Sequence, residues 1–92
     1  MSMGEMASID PEALKAFRSR FIRFNDMLAE ERNAMRSAWI GLRDTWHDRK
    51  YEELGDSLAQ VEAGIDQYLK NTKEYEAHLL RLIDRAEAYL DT

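Results

Sequence analysis

From Tyr51 to Tyr89 the chain places Tyr51, Leu54, Leu58, Val61, Ile65, Tyr68, Thr72, Tyr75, Leu79, Leu82, Ala86 and Tyr89 at alternating steps of three and four, without a slip. This is the heptad rhythm of an apolar stripe along an α-helix. Leu69, Ile83 and Leu90 widen the stripe. A helix of about 40 residues is roughly 60 Å long at a rise of 1.5 Å per residue, and a helix of that length must bury its stripe against something. The nearest available cover is the first half of the same chain, folded back alongside it.

That first half carries a matching pattern. Leu14, Phe17, Phe21, Phe24, Leu28, Glu31, Met35, Ala38 and Leu42 keep the same alternation with one polar interruption at Glu31. Asp10 before Pro11 offers a capping acceptor and a first-turn proline. The two stripes do not join: Leu42 to Trp46 is a step of four and Trp46 to Tyr51 a step of five, which rotates the stripe off its face. The spacing therefore predicts an all-α antiparallel hairpin, with helices over about 11–40 and 46–90 and a flexible lead over 1–9. Gly41 is expected to close the first helix in a left-handed conformation. Thr45 and Asp48 are expected to form a capping box for the second, with Asp44 a competing cap. Trp39 then falls on the last turn of one helix and Trp46 on the first turn of the next, either closing the bundle end or lining a partner pocket. Phe17, Phe21 and Phe24 are expected to pack against Leu79, Leu82 and Ala86.

Length and charge set the partners. Ninety-two residues with no linker-like stretch read as one small domain, 1–92, whose single chain buries limited apolar surface. Pairing of two hairpins into a four-helix bundle dimer is the expected remedy. From Lys15 to Arg36 there are six basic and three acidic residues, and from Tyr51 to Thr92 ten acidic and four basic. Antiparallel docking thus lays a weakly positive arm on a negative one. Net charge is -5 and the basic residues of the first helix fall on several faces, which argues against nucleic acid as a partner. No apolar run is long enough to span a membrane. With no signal-peptide pattern at the start, the expectation is a protein cytoplasmic when made.

Candidate chemistry is thin. The chain has no cysteine, so disulfides and thiol nucleophiles are excluded. Asp44, His47, Asp48 and Glu52 lie close in sequence, but adjacent helical positions point about 100° apart, and capping explains them better than a metal site. His78 lies far along the second helix. Glu31 and Thr72 read as register-setting residues in the stripes, and the glycines at 4, 41, 55 and 64 make no phosphate-binding loop. No catalytic, metal or cofactor site is expected.

The mid-chain residues resemble the WXG family of small helical-hairpin proteins associated with type VII secretion, which have a Trp-x-Gly turn and a large apolar residue eight positions after the tryptophan. Trp39-Ile40-Gly41 matches the turn literally, with His47 eight positions on. Trp46-His47-Asp48 matches by position, with Leu54 eight positions on and Asp48 in place of glycine. The resemblance extends to length, hairpin pattern and turn position. It implies a homodimer or a pair with a sibling hairpin, a larger secreted protein or the secretion machinery as further partner, and export without a cleaved signal peptide. It also implies a partner site at Trp39, Gly41, Trp46, Asp48 and Leu54. The family's export signal, resembling Tyr-x-x-x-Asp/Glu after the second helix, is missing here. A cytoplasmic structural or adaptor coiled coil is the alternative expectation.

Overall fold

The computed structural model describes residues 9–91, and the expected lead, apart from Ile9, lies outside them. The protein is an all-α two-helix hairpin. Helix α1 spans Pro11–Gly41 and helix α2 spans Arg49–Asp91. Asp10 caps α1 as its sequence implies: Glu12 N–H donates to Asp10 Oδ1 at 3.0 Å and Leu14 N–H to Asp10 O at 3.1 Å.

The turn differs from expectation at two points. Helix α2 begins at Arg49 and not at 46, because Asp48 alone is its cap. Tyr51 N–H donates to Asp48 Oδ1 at 3.0 Å, while the Thr45 hydroxyl turns back to Leu42 O at 3.1 Å and takes no part in a capping box. Gly41 is no left-handed cap either, since no described residue has positive φ. Helix α1 instead ends by tightening: Leu42 N–H reaches Trp39 O and Arg43 N–H reaches Ile40 O, each at 3.2 Å. Such three-residue spacing is a common way to satisfy the last carbonyls of a helix.

Tertiary contacts gather into two compact units, each built from a piece of both helices. The first unit joins the part of α1 up to Phe24 to the part of α2 from Thr72 onward. Here Ile83, Ala86 and Thr72 are buried, Lys15 Nζ bridges Glu12 and Glu87, and the Arg18 Nε–H donates to Glu76 O at 2.9 Å. Phe21 stacks on Phe17 with ring centroids 5.7 Å apart. The expected three-phenylalanine cluster is corrected: only Phe21 is half-buried, and Phe17 and Phe24 are exposed.

The second unit, Asn25–Asn71, contains the turn. Tyr51 is buried at 1% exposure, and Leu28, Leu58, Ile65 and Leu69 are half-buried. Two arginines of α1 fork onto carboxylates of α2. Arg32 reaches Asp66 at 3.0 and 2.8 Å, and Arg36 grips both oxygens of Glu62, one through Nε at 2.9 Å. The charge asymmetry of the two arms therefore becomes specific ion pairs. Buried Asn25 accepts the Tyr68 hydroxyl at 2.9 Å.

In both units the expected stripe divides lengthwise. Leu14, Phe21, Leu28, Leu58, Ile65 and Leu79 are half-buried, as is Leu82, whereas Phe17, Phe24, Met35, Leu54, Val61, Tyr68 and Tyr75 are exposed. The vacated positions on the inner faces are taken by Arg18, Asn25, Arg32, Arg36 and Trp39 on α1 and by Gly55, Glu62 and Ile83 on α2, all buried or half-buried. Physically, a heptad stripe is wide enough for two neighbours, and one facing helix covers only part of it. Opposite charges then draw arginines and glutamates onto the covered side, with the long side-chain stems supplying packing.

Candidate functional site: the turn end and its uncharged flank

Within the second unit the chain reversal brings Trp39, Trp46, His47, Asp48, Tyr51 and Gly55 together. Trp39 and Tyr51 stack face to face, centroids 4.4 Å apart and planes 5° from parallel. They also exchange hydrogen bonds through backbone: the Trp39 indole N–H donates to Tyr51 O at 3.2 Å, and the Tyr51 hydroxyl donates to Trp39 O at 2.7 Å. This pair locks the end of α1 to the start of α2. The Arg36 guanidinium lies 5.3 Å over the Trp39 ring, a cation–π contact made by the same arginine that holds Glu62.

The glycine that Trp39 needs is Gly55, sixteen positions on, and not Gly41. A Cβ at Gly55 would stand 2.2 Å from Trp39 Cζ2, whereas one at Gly41 would meet nothing within 4 Å. Gly55 is therefore the floor on which the indole rests. Its signal in the sequence is faint, because Gly55 lies one position after Leu54, beside the heptad stripe and not in it.

Trp46 sits outside both helices, half-buried, with its ring edge-on to Tyr51 at 5.6 Å. His47 also meets Tyr51 edge-on, and its Nε2 lies 2.5 Å from Glu52 Oε1. Asp48 is held below the usual carboxylate range, first by the Tyr51 backbone N–H and then by the Trp46 indole. Glu62 is lowered in the same direction, chiefly by its hydrogen bonds from Arg36. A carboxylate with a depressed folded-state pKa contributes stability above its unfolded pKa and loses it as pH falls through the folded value. Both groups act in the same sense, so unfolding free energy should fall as pH drops through about 4 and below, the range where unfolded carboxylates titrate. In a Glu62→Gln variant, urea titrations between about pH 5 and 3 should show a shallower fall; an unchanged slope would remove Glu62 from the acid response.

Beside this cluster lies a surface whose α2 side carries no charge. Residues on a helix step by about 100°, so the flank of α2 next to its buried line carries Leu54, Ser57, Val61, Gly64 and Tyr68. Between Leu54 and Asn71 no charged residue falls on this flank: Glu62 is on the buried line, and Asp56, Asp66 and Lys70 are toward the opposite side. The corresponding flank of α1 carries Met27, Glu31, Ala34, Met35 and Ala38. Equal rotations on two antiparallel helices point to the same side, so these stripes border one surface. Val61 is 57% and Met35 52% exposed, and Met27, Leu42 and Leu54 are exposed with them. The Tyr68 hydroxyl donates inward to buried Asn25, and the residue is 37% exposed. The partner-site residues named from the resemblance thus separate: Trp39 and Asp48 hold the turn, Trp46 covers Tyr51, Leu54 begins the uncharged flank, and Gly41 is exposed at the end of α1.

Among the described residues no group of three His, Cys, Asp or Glu side chains could hold a metal ion, and none of the described helices is long and apolar enough to cross a membrane. Neither a family model, nor a curated protein, nor a solved structure matches the chain.

Proposed function

We propose that this protein is a helical-hairpin interaction module, a structural or adaptor element that acts by presenting the uncharged flank of its second unit to another protein, with no chemistry of its own. The observation that carries the reading is the lengthwise division of the apolar stripe. Leu54, Val61 and Tyr68 keep the heptad spacing of core residues yet are exposed, and an apolar row bordered by uncharged side chains is the composition of an interface centre. A photo-crosslinking amino acid placed at Val61 in cells should yield discrete protein adducts, and the same group at Ala63, on the charged side, should yield few. Equal labelling at both positions would defeat the reading.

A second reading follows from the likeness to the WXG hairpins: export as a homo- or heterodimer by a type VII-like system, alone or with a larger secreted partner. Its support is the two-helix hairpin itself, with Trp39 stacked on Tyr51 at the reversal. Appearance of the intact chain in culture medium, dependent on the secretion motor, is its test; retention of all the protein in cells removes it.

A further inference from the structure

We infer that the first unit carries a contact surface of its own, a flank of exposed aromatic rings and arginines that binds peripherally to an anionic lipid surface. It is formed by Phe17, Arg20 and Phe24 on α1 and by Tyr75, His78 and Arg85 on α2, and it does not depend on the protein-facing flank of the second unit.

Contacts across the unit fix which flank this is. Lys15, Ser19 and Ile22 of α1 line a cavity of about 350 Å³ together with Leu80, Asp84 and Glu87 of α2, and Lys15 is tied to Glu87 there. On the opposite flank, steps of three and four align Phe17, Arg20 and Phe24 on α1, and Tyr75, His78, Leu82 and Arg85 on α2. Phe17 and Phe24 are each 54% exposed and Tyr75 is 61% exposed. Arg20 and Arg85 are exposed in the same rows, and Arg23 and Arg81 follow on the outer faces of the two helices.

Charge selects the ligand. From Ala13 to Asn25 the chain has four basic residues and no acidic one. Two of the four are used inside the hairpin, Lys15 on Glu12 and Glu87 and Arg18 on Glu76 O. Arg20 and Arg23, like Arg81 and Arg85, enter no ion pair among the described residues. The carboxylates of α2 stand apart from them: Asp84 and Glu87 line the cavity on the other flank, Glu76 is half-buried, and Glu74 borders the aromatic side next to Tyr75. Exposed rings interleaved with unpaired arginines suit a headgroup boundary, where the rings enter the apolar edge and the guanidinium groups reach phosphate. A bound peptide would call for a groove, but here the rings stand out from the surface and the cavity lies on the opposite flank. Nor does the net charge of -5 oppose the contact. Exposed charges are screened beyond about 8–10 Å, and a helix with its side chains is about 10–12 Å across, so the acidic flank is largely out of range of the lipid. A nucleic-acid strand would instead need a continuous basic track, which the acidic remainder of α2 does not extend.

The test is co-sedimentation of the full chain with large vesicles of phosphatidylcholine, with and without phosphatidylglycerol, at low and high salt. Binding is expected to the anionic vesicles and should fall as salt rises. Combining Arg20→Glu with Arg85→Glu should weaken it roughly 30-fold or more, and Tyr75→Ala should weaken it several-fold. Lys73→Glu, a charge reversal at an exposed site on the cavity flank, should change it little. Circular dichroism should show all the variants equally helical, so that a loss of binding reads the surface and not the fold. Equal binding to neutral and anionic vesicles would overturn the role of the arginines, and a loss in Lys73→Glu as large as in the double variant would overturn the flank. Failure to bind either vesicle would overturn lipid as the ligand. If the same chain then retards a single-stranded oligonucleotide in an Arg20-dependent way, the flank belongs to nucleic acid instead.

Discussion

Trp39→Ala should destabilise the protein by about 3 kcal/mol in urea unfolding, against about 1 kcal/mol for Trp46→Ala. The two tryptophans are seven residues apart and look equivalent in sequence, but their surroundings differ. Trp39 stacks on a tyrosine that is itself buried, donates its indole N–H to Tyr51 O, supports the Arg36 guanidinium and fills the space above Gly55. Its removal leaves a void beside Tyr51 that the rigid pair of helix ends cannot collapse to fill. Trp46 covers Tyr51 from the edge and donates to Asp48 from an irregular segment that can readjust. Both measurements belong at one fixed protein concentration, because self-association would make apparent stability concentration-dependent. Equal losses for the two variants would mean that the turn end unfolds as a unit and that the indole at 39 has no privileged place in it.

A heptad pattern specifies some features of this fold and leaves others open. Asp10 and Pro11 placed the start of α1, and the phase slip between Leu42 and Tyr51 placed the reversal, because caps and periodicity are local properties. The charge difference between the arms also favoured docking of α1 on α2. What the pattern could not decide was which side of a wide stripe the neighbouring helix would cover. That choice depends on pairs of side chains distant in sequence, such as Arg36 with Glu62 and Asn25 with Tyr68, whose energies no single helix displays. The turn site was legible in part. Its tryptophans and Asp48 were conspicuous, yet Gly55 was hidden inside a helix, where glycine is ordinarily a weakness and is explained only by what rests on it.

That weakness gives the second large effect. An exposed glycine inside a helix is about 1 kcal/mol less favourable than alanine, so Gly55→Ala in isolation would stabilise α2. In the intact protein the new methyl group would stand 2.2 Å from Cζ2 of Trp39, and the ring is held by its stack and its hydrogen bond. Overpacking of this kind costs about 1–3 kcal/mol, so the expected net result is destabilisation by about 1–2 kcal/mol. In the Trp39→Ala background the obstruction is gone. The same Gly55→Ala change should then raise stability by about 1 kcal/mol, giving a coupling of about 2–3 kcal/mol in the double-mutant cycle. A reversal of sign at one position is a strong discriminator, since no generalised loosening of the turn produces it. If Gly55→Ala stabilises both backgrounds alike, the indole can slide aside without loss, and the interlock between the end of α1 and the start of α2 rests on the Trp39–Tyr51 stack alone.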